Sequence, residues 1–131
     1  MAIRVLFAVM LMAGVYAMDV RAHHSFAAQY DSSKPITLTG QVTKVEWLNP
    51  HVRFYADVKD QGKVVNWEFE LASGTSLVRQ GWTRTSLKPG DAITVEGYLA
   101  RNGTPLVNAI AVSLADGRKV FAGSSFEGAP K

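Results

Sequence analysis

The sequence predicts an all-β domain with one short helix, arranged as an OB-like five-stranded Greek-key barrel. Three observations predict it: apolar residues alternate in runs of strand length, turn residues separate the runs, and a single helical stretch lies between the third and fourth runs. The same runs also fit an antiparallel β-sandwich, which is the alternative reading. A chain of 131 residues supports one domain. At 47% hydrophobic and 19% charged residues it has enough apolar surface to bury a core, so disorder is not the expectation.

The first run, ITLTGQVTKVEWLNP, covers residues 36–50. Ile36, Leu38, Gly40 and Val42 share one face, and Val45 and Trp47 follow one step out of phase. That slip predicts a β-bulge near Thr43 and Lys44, while Gly40 permits a sharp bend. In HVRFYADV, residues 51–58, Val52, Phe54, Ala56 and Val58 point inward, and His51, Arg53, Tyr55 and Asp57 point outward. KDQG is a turn, after which KVVNWEFEL places Val65, Trp67, Phe69 and Leu71 inward and Glu68 and Glu70 outward. Two registers keep these faces aligned. A four-residue KDQG loop sets Arg53 opposite Glu68 and His51 opposite Glu70; the next sets Arg53 opposite Glu70. Both place Arg53 against a glutamate on the solvent side of the hairpin.

In SGTSLVRQGW, Ser73 or Thr75 can cap a short helix and Gly81 can end it. Pro89 and Gly90 suit the central positions of a type II turn. AITVEGYLA is the fourth strand, and Asn102-Gly103 turns the chain into the fifth, PLVNAIAVSLA. Asp116-Gly117 then turns into RKVFAG. The expected division is a signal peptide over 1–22, a lead-in over 23–35, the OB-like domain over 36–122 and a loose tail over 123–131.

Export is read from the N-terminus. Arg4 precedes the apolar run VLFAVMLMAGV, which is long enough for the core of a signal peptide and too short to span a bilayer. Small residues allow a cut at Ala17–Met18 or at Ala22–His23, and the distance from the apolar run slightly favours the first. No later segment is apolar enough to cross a membrane, so a periplasmic or secreted protein without stable membrane insertion is expected. The chain has no cysteine, which excludes disulfides, thiolate metal sites and cysteine nucleophiles. The net charge of +3 comes from scattered residues, with Arg118-Lys119 the one adjacent basic pair, so nucleic acid is not an expected partner.

The phrases AHHSFAAQYD, LTGQVTKVEWLNPHV, RQGWTRTSLKPGD and LADGRKVFAG resemble a family of small exported bacterial proteins catalogued as a domain of unknown function. The resemblance runs from about His23 to Gly123. It implies that the export signal ends directly before the histidine pair, which favours the cut at Ala22–His23. It implies no activity.

Few residues are equipped for chemistry. A cut after Ala22 would give His23 a free α-amine beside its imidazole, a pair that chelates Cu(II). His24 or His51 could add a third nitrogen and complete a histidine brace. A histidine pair at a chain end also binds copper without biological purpose, so the metal set His23, His24 and His51 is one expectation among others. The second is a docking face for a protein on the outer side of the hairpin, made of Arg53, Tyr55, Glu68 and Glu70. The plain reading of those charges is a cross-strand ion-pair ladder. Trp47, Trp67, Phe54 and Phe69 read as core, and Trp82 as a cap on the base of the fold. No phosphate loop, zinc-protease motif or nucleophile arrangement is present, and Ser25 beside His24 is chain proximity and not a triad. The expectation is therefore a non-enzymatic binding or accessory module whose partner is a protein or a small molecule, with Cu(II) the one cofactor considered.

Overall fold

The computed structural model describes residues 26–121. After a helical turn over residues 26–29, the elements are β1 (Tyr30–Glu46), β2 (Arg53–Asp60), β3 (Lys63–Glu70), α1 (Gly74–Arg79), β4 (Ala92–Ala100), β5 (Leu106–Leu114) and β6 (Lys119–Phe121). The strands form one sheet in the order β3-β2-β1-β4-β5-β6, with antiparallel neighbours. β3 also pairs in parallel with β5, where Glu68, Phe69 and Glu70 face Leu106, Val107 and Asn108. The all-β reading with one short helix holds, and RKVFAG contributes the sixth strand.

β1 is longer than its alternation predicted. It starts at Tyr30, which pairs with Ala100, and its register shifts before Pro35 pairs with Tyr98. Residues 31–34 have no period because Asp31 is used locally, accepting bonds from the Ser33 N–H (3.0 Å) and hydroxyl (2.6 Å). The expected bulge is present: the β1–β2 register shifts between Val42 and Lys44. Gly40 pairs with Val58 on one side and Ile93 on the other, and a Cβ there would lie 2.5 Å from the Asp57 carbonyl oxygen. Only a glycine lets β2 approach so closely.

The hairpin adopts the second of the two registers, with Arg53 opposite Glu70 and Tyr55 opposite Glu68. The turn is Gln61-Gly62 alone, not all of KDQG, because Asp60 and Lys63 pair. Both turn residues have positive φ (48° and 81°), as a two-residue turn matched to strand twist requires. α1 forms as read: Ser73 is the N-cap, its hydroxyl accepting the Ser76 N–H at 3.2 Å, and Gly81 follows the helix with φ 93°.

The main core gathers Val52, just before β2, and Phe54, Ala56 and Val58 of β2 against Phe69, Leu71, Leu77, Val95, Val107 and Val112. The Phe54 and Phe69 rings stack at 4.8 Å between centroids. A smaller cluster lies apart: Phe26, Tyr30 and Ala100, with Tyr98 and Leu106 packed against them. No helix among the described residues is long and apolar enough to cross a membrane.

The β4–β5 register shifts at Gly97, where a Cβ would come 2.2 Å from the Asn108 carbonyl oxygen and 2.6 Å from Val107. Gly97→Ala must push β5 away, and we expect a loss of about 2 kcal/mol or more in urea unfolding. A loss under about 0.5 kcal/mol would contradict this close approach.

Candidate functional site

Two surfaces bring together residues able to bind or react. The first is the outer side of the β2–β3 hairpin. Arg53 of β2 donates through Nη1 to Glu68 at 2.5 Å and through Nη2 to Glu70 at 3.3 Å, so one guanidinium joins both carboxylates. The Glu70 side chain is only 5% exposed, whereas Arg53 is 36% exposed. This corrects the expectation of a solvent-side glutamate. Glu70 does point away from the main core, but Asn108 of β5 lies opposite it, fully buried, and Tyr30 covers the same region. The Tyr30 hydroxyl is buried and has no hydrogen-bond partner of normal geometry among the described residues, though Glu70 is near enough to act on it. Burial first, and then the Glu70 charge, push its ionisation well above the usual phenol range, so it stays neutral.

Tyr55 faces a different neighbour. Its hydroxyl reaches Glu46 at 3.5 Å, and the Lys44 ammonium lies 5.6 Å from its ring centre and pairs with Glu46. The four residues expected to form a docking face are thus engaged with one another and with β1. Their charges are largely met within the fold.

His51 is half-buried in the segment before β2, and its Nδ1 is buried without a hydrogen-bond partner among the described residues. It is not opposite Glu70, because the register gives that place to Arg53. Among the described residues no three histidine, aspartate or glutamate side chains gather as a metal site would. His23 and His24 lie outside the described residues.

The second surface is a cleft of about 580 Å³ between the end of β1 and α1, and sequence reasoning missed it. Trp47, Leu48 and Asn49 form one wall; Gly74, Thr75, Val78 and Arg79 form the other, and Arg84 closes the rim. Trp47 was expected in the core. It packs partly against that core, yet also lines the cleft, where the Arg84 guanidinium lies 5.5 Å from its ring centre. Gly74 lets α1 approach: a Cβ there would meet the indole at 3.1 Å. Leu48 and Val78 are 49% and 60% exposed, two of the large apolar side chains that the fold leaves uncovered. Among the described residues, Arg79 and Arg84 form no salt bridge and no acidic residue lines the cleft. The sequence offered one signal. VEWLNP and SLVRQGWTR each mix apolar and arginine or tryptophan residues beyond what strand or helix faces require.

Fold and site define a small β-sheet domain with a partly buried ion triad on one side and a basic, partly apolar cleft on another. The chain belongs to the family of unknown function DUF6152, whose model matches residues 11–107. Comparison with curated proteins finds no match.

The triad yields a test. Arg53→Met leaves Glu70 buried without its cation, and we expect a loss of about 1–3 kcal/mol in urea unfolding. Adding Glu70→Gln to that variant removes the stranded charge and recovers part of the loss. Strictly additive effects of the two substitutions would show that the pair is not coupled.

Proposed function

We propose that this protein is an exported, non-enzymatic binding module on an OB-like barrel, and that it takes its ligand in the cleft between Trp47 and α1. The strand pairings support the barrel reading. The path β1–β2–β3–β5–β4 returns to β1 through successive hydrogen-bonded neighbours, and α1 falls between β3 and β4. Support for export comes from Arg4 and the apolar run that follows it, together with the cleavage residues at Ala22.

The cleft is the observation that carries the binding reading. Its volume suits a small molecule, its walls combine exposed apolar and polar groups, and its arginines have no acidic partner among the described residues. By contrast, Arg53, Glu68 and Glu70 spend their charges on one another. Among the cleft-lining residues there is no histidine, carboxylate or serine to serve as acid, base or nucleophile.

A copper role for His23, with His24 and His51, is the second reading. One observation favours it: Phe26, two positions after His24 in the sequence, is buried against Tyr30 and Tyr98.

Native mass spectrometry of the protein isolated from its own periplasm tests both readings. The cleft reading predicts a small organic molecule bound to the mature chain and lost in Val78→Glu. The bare polypeptide mass, or a ligand that Val78→Glu still retains, would contradict it. The copper reading predicts a chain beginning at His23 with one copper. A chain beginning at Met18 lacks the chelating amine and would end that reading.

A further inference from the structure

We infer that the ligand of this cleft is an anionic amphiphile: a carboxylate or phosphate head held by Arg79 and Arg84, with an apolar body lying on Trp47, Leu48 and Val78. The inference rests on the reading of the cleft as the binding site and adds the chemical class of what enters it.

Charge comes first. Three described arginines have acidic partners: Arg53 with Glu68 and Glu70, Arg101 with Asp31, and Arg118 with Asp116. The other two, Arg79 and Arg84, have none among the described residues, and both line the cleft. A guanidinium offers five donors in a planar fork that matches a carboxylate or a phosphate. Two such forks beside a cleft without an acid select for an anion and disfavour a cation.

The second point is that these cations are held in place. Arg79 is in the last turn of α1, which buried Leu77 ties to the core. Arg84 lies in a short loop between Trp82 and Leu87, which are 4% and 3% exposed. Within that loop the Thr83 N–H donates to the Ser86 hydroxyl at 2.8 Å, and the Thr85 N–H to the Thr83 hydroxyl at 3.3 Å. A backbone fixed in this way loses little freedom when its arginine takes a ligand.

The apolar part follows from exposure. Leu48 and Val78 stand on opposite walls of the cleft and remain open to water, and Trp47 offers a partly buried ring beneath Arg84. An apolar chain laid between them covers surface that the fold leaves wet. A small inorganic anion would use the arginines and leave that surface exposed. The combination therefore fits a molecule with both parts.

Three probes with the same ten-carbon tail separate the possibilities: decanoate, decyltrimethylammonium and decanol, each used below its micelle concentration on the full mature chain. Binding is followed by calorimetry and by the Trp47 indole N–H resonance, which Trp47→Phe identifies. Decanoate is expected to bind and move that resonance, with decyltrimethylammonium and decanol at least about tenfold weaker. Arg79→Ala and Arg84→Ala should each weaken decanoate about fivefold or more, while Arg118→Ala, at an arginine that does not line the cleft, leaves it unchanged. All three substitutions are at exposed positions, and unchanged thermal unfolding confirms that the fold is kept.

If decyltrimethylammonium or decanol moves Trp47 with the affinity of decanoate, the cleft binds but the anionic class is wrong. If decanoate binds and neither arginine substitution matters, the head-group assignment is overturned. If none of the probes moves Trp47, both this inference and the cleft reading beneath it fail.

Discussion

Gly40 is where two strand pairings meet, and the rest of the molecule depends on that junction. On one side it pairs with Val58 of β2, on the other with Ile93 of β4. At this position β2 comes so near that only a residue without a side chain fits against the Asp57 carbonyl. The bulge after Val42 then turns the last residues of β1. Trp47 follows directly, at the place where α1 closes over it. The cleft is thus a product of how β1 ends, and Gly74 completes it by letting the helix come near the indole.

Where Tyr30, the first residue of β1, comes near β3, the chain solves another problem. β3 presents a glutamate, Glu70, where β5 also pairs, and the Phe26–Tyr30 segment packs nearby. A carboxylate taken from water there needs compensation, and Arg53 supplies it from the neighbouring strand while keeping part of its own surface wet. The hairpin register chosen by the two-residue turn is the one that makes this pairing direct. A shift to the alternative register would place Arg53 opposite Glu68 and leave Glu70 facing His51. Turn geometry and buried charge therefore point to the same alignment.

Much of this was legible in the sequence because strand alternation is a local signal. The inward sets of β2 and β3, the bulge near Lys44, the Ser73 cap and the Gly81 stop could all be read from spacing. The register between two allowed values could not. It is set by Gln61 accepting a positive φ, a conformation that residue type does not announce. The burial of Glu70 was hidden for a different reason. What covers it lies in SFAAQYDSSKP, which has no period, and the one clue was the four-residue spacing of Phe26 and Tyr30. The cleft was invisible because its walls come from residues far apart in the chain, and because Trp47, apolar and in phase with Val45, reads as core. The family and the all-β class needed only the quoted phrases and the alternation; the site needed the folded chain.

The most direct test of this account is a set of nuclear Overhauser contacts in the folded protein. We predict that Gly40 shows contacts to both Val58 and Ile93 in one species, and that the Trp47 ring shows contacts to the α-protons of Gly74. Contacts from Gly40 to only one of the two strands, or a Trp47 ring remote from Gly74, would contradict the double pairing of β1 at Gly40 and the cleft built on its end.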